Sequence, residues 1–412
     1  MTSANESSSP EFPEAPASTP WGTVVLLGSL TAMGPLAIDM YLSSLPAIQA
    51  SLHASAAQGV ATMSAFLAGM SIGQMFYGPA SDRMGRRAPI LLGVLIFTVA
   101  SAGCALATSV DQLLIGRFVQ ALGACAGGVV ARAVVRDRFN HTETARMLSL
   151  MMLIMGLAPI LAPMLGSALV TFGGWRLNFW FMTVFGLAVG GAAVLRMKES
   201  RSEATAIQAA GENPLQSYIA VLSQPRLLGY ALAGALNGAT LFTYISSASG
   251  LLMGTYGASV ALFPWLFSLN AIGIIGGNQV NRFLLRRRTT DYVLARASIV
   301  ALACSVALVL AAFTGIGGRW TVLPCIFLVM SSMGFMQGNT TAGALSVDPV
   351  RAGSTSALLG AMSFGTGAVA SRLVGLLHDG TPRPMALVMM LGLAGSALCL
   401  FTLALPKRGQ AS

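Results

Sequence analysis

One carboxylate stands alone in a long apolar run: Asp39, within GPLAIDMYLSSLPAI. An ionised Asp in hydrocarbon costs at least about 2.5–3.5 kcal/mol. Two readings follow. Either Asp39 sits near a helix end and reaches headgroup water, or it is a proton-binding group. Seventeen residues separate it from Gly22, a helical rise of roughly 26 Å, which puts it toward the far side of a span. Burial raises a carboxyl's affinity for its proton and a nearby Arg lowers it. A cycle that changes both exposures therefore loads and releases a proton. Arg117 and Arg372 are the bases inside apolar runs, and by span position both lie at a depth similar to that of Asp39. The hypothesis is that Asp39 and Arg117 form a pair that responds to protonation. Arg372 either snorkels to the interface or contacts an anionic or polar substrate.

The second constellation is G-P-A-S-D-R-M-G-R-R at 78–87. A positive-inside anchor explains Arg83, Arg86 and Arg87 but not the acid and the glycines. Gly78 is expected to allow close backbone approach and Gly85 a tight turn. Asp82 is suited to pairing with a base or accepting from a helix N-terminus, which makes a charge latch. Pro159 and Pro163, four apart and flanked by Gly156 and Gly166, remove backbone donors and bend a helix. No H-E-x-x-H, G-x-S-x-G or nucleotide loop is present, so an enzyme is not expected. His53, His141 and His378 show no ligand spacing. The five cysteines sit in apolar runs with no C-x-x-C. Neither metal nor cofactor is expected.

The elements that must hold these residues follow from composition. Of 412 residues, 55% are hydrophobic and only 9% charged, against about 25% charged in soluble domains. Mean hydropathy is +0.72. The chain reads as all-α, with helices near 22–45, 57–79, 89–108, 112–134, 145–170, 177–196, 226–250, 259–281, 291–314, 320–344, 353–377 and 384–405. Many Gly, Ala and Ser residues within these runs fit close helix packing in a bilayer. Residues 1–21, rich in Ser and Pro with three Glu, read as a disordered tail. With both termini placed in the cytoplasm, nineteen of the 24 basic residues fall on that side and three on the other, as the positive-inside rule requires. The net charge of +10 is thus a membrane signature. Its small clusters between apolar runs do not make the continuous stripe that binds nucleic acid. Residues 197–225 form the longest polar connection. They divide a six-helix half at 22–196 from another at 226–405, followed by a tail at 406–412. DRMGRR at 82–87 and NRFLLRRR at 281–288 lie 199 apart, and Cys104/Cys304 and Cys125/Cys325 lie 200 apart, an internal repeat of a kind many transporters have.

The 78–87 segment resembles the signature loop of the major facilitator superfamily. D-M-Y-L-S-S-L-P-A-I at 39–48 is similar to the first-helix motif of its bicyclomycin/chloramphenicol resistance (Bcr/CflA) group. R-F-V-Q-A-L-G-A at 117–124 resembles the fourth-helix motif with its buried Arg, and L-A-P-I-L-A-P-M-L-G at 157–166 the fifth-helix antiporter motif. A-G-S-T-S-A-L-L-G-A at 352–361 and G-L-L-H-D-G-T-P at 375–382 resemble the group's C-terminal half. Ser43, Ala121, Ser167, Asn281 and Arg372 depart from the group's pattern. The resemblance implies the major facilitator fold, two pseudo-symmetric six-helix bundles around a central cavity. It implies a monomeric, proton-coupled exporter of drug-like small molecules in the bacterial inner membrane, with chloramphenicol-like or bicyclomycin-like compounds as candidates. An alternative is a transporter of one specific, possibly anionic, metabolite. It assigns proton coupling to Asp39 and Arg117, and gating to the 78–87 loop with Pro159, Pro163 and Gly166. Asp39, Tyr41, Gln120, Asn237, Phe242, Tyr244, Asn339 and Arg372 are then expected at the substrate cavity, Asn270 being a further polar residue within a span.

Overall fold

The computed structural model describes residues 21–211 and 213–405. The tails expected at 1–20 and 406–412 lie outside the described residues, and Trp21, read as tail, opens the first helix. The described residues are helical throughout, without a strand. This is the form in which a chain satisfies its own backbone groups in a bilayer.

The first six helices are α1 (Trp21–Ser51), α2 (Ala56–Met84), α3 (Arg87–Leu106), α4 (Val110–Arg138), α5 (His141–Gly173) and α6 (Trp175–Arg196). Two short helices follow in the polar connection, α7 (Glu203–Gly211) and α8 (Pro214–Leu222). Then come α9 (Pro225–Ser249), which continues as a π-helix over Gly250–Thr255, α10 (Phe263–Leu284), α11 (Thr290–Thr314), α12 (Arg319–Val347), α13 (Ala352–Leu376) and α14 (Arg383–Cys399), which also ends as a π-helix. Several helices outrun their apolar stretches because polar residues cap them. Ser55 and Gln58 form a capping box on α2, and the side chains of Ser109, Asn140 and Thr289 accept from the first turns of α4, α5 and α11.

Among the described residues, ten helices are long and apolar enough to cross a membrane. α9 joins them when taken with α8, from which it is bent by 94°. The twelfth place in the two-bundle fold belongs to α10. Its 22 residues span roughly 33 Å but include Asn270, Asn278, Gln279 and Asn281, which dilute its hydropathy. Asn270 and Asn281 are buried in the bundle, so their polarity faces protein, whereas Asn278 and Gln279 are exposed toward the basic end of the helix. On the outside, side chains such as Phe172, Leu195 and Leu310 are exposed all round, as lipid contact demands.

Close packing inside the N-terminal bundle depends on small residues. A methyl group added at Gly127 of α4 would lie 2.2 Å from the Leu30 carbonyl of α1. Between the bundles α2 meets α13, and α5 meets α10. Ser64 and Ser71 of α2 donate to the Ala368 and Ala361 carbonyls at 2.5 and 2.7 Å. Ser167, beyond the α5 prolines, donates to the Val260 carbonyl at 2.6 Å. At the end that carries most of the arginines, here the basic end, α8 lies across the bundles. Tyr218 donates to the Met75 carbonyl of α2 at 3.1 Å, while Tyr218 and Val221 pack on Leu227, Ala231 and Leu358. The expected polar loop is therefore partly helical. Asn213 caps it, Pro214 opens it, and one apolar face finds a partner.

Gly127→Val should cost about 1–3 kcal/mol by overpacking, seen as a lowered unfolding midpoint of the detergent-solubilised protein. Gly128→Ala, whose added carbon meets nothing within 4 Å, should leave that midpoint unchanged or raise it.

Candidate functional site

The two faces of α1 organise the site. Successive helical residues are turned by about 100°, so Ala37 and Tyr41 share a face and Asp39 points about 160–200° away from both. Arg117 of α4 occupies the first face. It is fully buried, with its guanidinium carbon 4.4 Å from the Tyr41 ring centre and 4.2 Å from that of Phe66. Its Nη1 donates to the Ala37 carbonyl at 2.9 Å and to Gln120 Oε1 at 2.7 Å. Nε and Nη2 have no partner. Two aromatic faces at this distance supply a desolvated cation with about 2 kcal/mol or more, which helps offset its burial.

Asp39 therefore does not pair with Arg117. The expected ion pair is absent among the described residues because the helical phase aims the two groups at different sides of α1. Asp39 is 4% exposed and makes no hydrogen bond there. It lies within electrostatic range of the Tyr244 hydroxyl on α9, in the other bundle. Asn270 of α10 donates to that hydroxyl at 2.8 Å, and Tyr244 stacks on Phe267. Asn237 lies seven residues before Tyr244, on the same stripe of α9. It is buried, and both its amide atoms lack partners. Asp39 and Tyr244 thus approach each other across the boundary of the bundles, with Asn270 beside Tyr244 and Asn237 a further unpartnered polar group along α9.

Other residues expected at the cavity are elsewhere. Tyr41 is fully buried, hydrogen-bonded to Thr62, and faces Arg117 and Phe179. Gln120 is fully buried and donates to Ser101 of α3 at 2.8 Å. Its position, three residues after Arg117, turns it into the N-terminal bundle. Asn339 is paired reciprocally with Asn281 of α10. Phe242 packs against Phe364 of α13, their ring centres 5.2 Å apart. Arg372 shares the outer face of α13 with exposed Val369, Leu373 and Leu376, while Ser371 and Val374 hold the inner face. It is thus not a cavity residue, and of its two readings the geometry fits snorkelling.

At the basic end, Arg86 is the centre of the 78–87 segment. Buried at 3% exposure, it bonds to Asp82, to Ser81 at 3.0 Å and to Asp137 of α4 at 2.7 Å. Gly85 turns the chain at φ 91°, and a methyl there would strike the Glu199 carboxylate. Glu199 receives the backbone N–H groups of Arg86, Ser200 and Arg201 at 2.8–2.9 Å and that of Arg87 at 3.1 Å. Burial opposes its charge, but these backbone donors outweigh burial and hold its pKa down to about 2. Arg201 then donates to the carbonyls of Asp82 and Arg83, and Arg87 to that of Val194. Gly78 makes no close approach: nothing lies within 4 Å of a carbon added there, so its expected reason is not found. Sequence reasoning passed over Asp137 and Glu199. Their signals were slight, an acid between two arginines and an acid after a lysine.

α5 runs unbroken through Pro159 and Pro163. Ser43 of α1 donates to the Pro163 carbonyl at 3.1 Å. A methyl on Gly166 would lie 2.6 Å from the Met40 carbonyl. Asn178 of α6, also not singled out from sequence, donates to Ser44 at 2.6 Å and to the Met40 carbonyl at 3.2 Å. α1, α5 and α6 are therefore fastened around the stretch that carries Asp39. No three His, Cys, Asp or Glu residues converge as a metal site among the described residues.

Two six-helix bundles meeting across a buried carboxylate and a few polar groups define a membrane transporter. The comparisons with known proteins agree. The model of the Major Facilitator Superfamily matches residues 27–371, and the chain belongs to that superfamily. It is 34% identical to the uncharacterized MFS-type transporter YdgK of Bacillus subtilis over 94% of this chain and 96% of the relative. It is 27% identical to a bicyclomycin resistance protein homolog of Haemophilus influenzae, covering 89% and 92%. It is 30% identical to the multidrug resistance protein MdtL of Shewanella oneidensis, covering 92% and 95%. These relatives bear out the resemblance to the bicyclomycin/chloramphenicol resistance group. Among solved structures, the xylose transporter XylE of E. coli, in a partially occluded inward open conformation, superposes with a TM-score of 0.73 at 12% identity, covering 95% of this chain and 99% of that one.

Two outcomes follow. The folded-state pKa of Glu199 is depressed, so its contribution is full above the ordinary value of 4.5 and is lost as pH falls through about 2. Glu199→Gln should cost about 1 kcal/mol, kept small by solvent screening. The unfolding midpoints of variant and wild type should differ equally at pH 5.5 and pH 8. Arg372→Gln should leave transport rate and substrate range unchanged in vesicle assays; a changed range would return Arg372 to the cavity.

Proposed function

We propose that this transporter exports small drug-like molecules by proton antiport, and that Asp39 is the proton-binding group. The observation that carries the reading is a buried carboxylate without hydrogen bond or counter-ion, at the boundary of the bundles. Such a charge costs several kcal/mol unless a proton or a ligand neutralises it. Arg117 acts in this reading as a positioning residue. It grips α1 at Ala37 and so fixes where Asp39 points. Proton and substrate compete for the polar groups around Asp39, Tyr244, Asn270 and Asn237, and alternating access carries them in opposite directions.

The distribution of arginines supports a cytoplasmic basic end, with both termini on that side. The membrane is the bacterial inner membrane and the working unit is a monomer, with bundles at 22–196 and 226–405. Bicyclomycin-like compounds are candidate substrates supported by the name of one relative, and a multidrug range by that of another; chloramphenicol-like compounds rest on the sequence resemblance alone. The reading of a single anionic metabolite loses its support, since Arg372 faces outward with Val369 and Leu373.

In everted vesicles, Asp39→Asn should reduce chloramphenicol transport driven by a pH gradient at least tenfold, while Asp39→Glu should retain part of it. Undiminished coupling in Asp39→Asn would end this reading.

A further inference from the structure

A cavity of about 330 Å3 lies between the bundles at the end opposite the arginines. Its floor is apolar and buried: Leu45, Val60, Leu251, Val374 and Met385. Its polar groups include Gln49 of α1, Ser247 of α9, Thr255 of the π-helix and His378 beyond α13. No Asp, Glu, Lys or Arg lines it. The Ser247 hydroxyl oxygen is buried with no hydrogen-bond partner. Such an orphaned group costs free energy until something meets it.

The π-helix shapes one wall. π-turns are rare and recur at functional sites, and this one is closed onto the α13–α14 connection by a bond from Thr255 to the Gly380 carbonyl at 3.1 Å. Gly250 and Gly254 lie along it. A carbon added at either meets nothing within 4 Å, so the glycines leave space open and serve no packing contact there. The cavity also lies on the way out. Leu45 is six residues past Asp39 along α1, roughly 9 Å, and Ser247 three past Tyr244, roughly 4.5 Å.

We infer that this cavity is an exit site, which holds a neutral amphiphile with hydrogen-bond acceptors after it leaves the groups around Asp39. The inference rests on the direction of transport proposed above. An apolar floor and uncharged polar walls fit a molecule with one apolar part and several amide or hydroxyl groups. A strongly charged ligand would find no counter-charge there and would lose hydration.

The test uses chloramphenicol as probe and a Gly254→Cys variant of the full chain in right-side-out vesicles, labelled by a membrane-impermeant maleimide. At ten times its half-protecting concentration, the drug should slow labelling about tenfold by occupancy. Labelling of Ile316→Cys, an exposed loop position outside the cavity, should not change. Adding Ser247→Ala should raise the half-protecting concentration about fivefold, the effect of one lost hydrogen bond. Unslowed labelling overturns the inference. So does slowing that Ser247→Ala leaves untouched, because movement of the bundles would then be masking the thiol. Drug export by wild type with unslowed labelling sinks the exit site alone. Slowed, Ser247-sensitive labelling without proton-driven export sinks only the proposed function.

Discussion

A guanidinium with no counter-ion, pressed between two aromatic rings and bonded to one backbone carbonyl of α1, is the constraint on which the rest of the site depends. Arg117 contributes no charge to the bundle boundary. It uses its charge to hold a helix whose opposite face carries Asp39. Tyr41, Phe66, Gln120 and Ser101 surround it, so a network that could have formed a binding site instead stiffens the N-terminal bundle. A buried cation tolerates this only with good π and hydrogen-bond partners. On the other side of the same helix a carboxylate has none of these. α1 is thus gripped on one face by a cation from α4 with ring and hydrogen-bond partners, and carries an unpartnered carboxylate on the other.

The basic end shows a different use of charge. There the α2–α3 turn, the end of α4 and the start of the central connection are tied by Arg86, Asp137, Glu199 and Arg201. Arg86 is buried, but Asp82 and Glu199 lie nearer water, where a single ion pair is worth little. The contacts form a network in which backbone groups take most of the bonds, and such networks define geometry more than they add stability. The C-terminal half has an apolar-embedded counterpart. Asn281, where the repeat has Asp82, pairs with Asn339 of α12, just as the α2–α3 turn reaches α4. The pseudo-symmetry thus survives in which helices are tied, while the chemistry of the tie has changed.

Much of the fold was legible in the sequence, because apolar length and the sorting of arginines report directly on bilayer thickness and orientation. α10 was read as a span from its overall pattern although its asparagines weaken that signal. The helices inside the connection were less visible, since α8 gains its stability from Leu358 and Ala231, distant in sequence. The site was legible in residue type but not in direction. Asp39 and Arg117 were both singled out, yet their partnership failed on helical phase, which Ala37, Asp39 and Tyr41 already contained. Tyr41, Gln120 and Asn339 failed for a related reason: polar side chains in a bundle find one another before they find a cavity. Arg372 was decided by its apolar neighbours at three- and four-residue spacing.

The serine hydrogen bonds across the seam between α2 and α13 run from hydroxyls to backbone carbonyls. A hydroxyl rotor is short and indifferent to which carbonyl it meets, and a helix offers a fresh carbonyl at every residue. A surface joined in this way resists pulling apart but has little preference among neighbouring alignments. Its hydrogen bonds tie one half of the molecule to the other without setting which residues must face each other; that choice is left to packing.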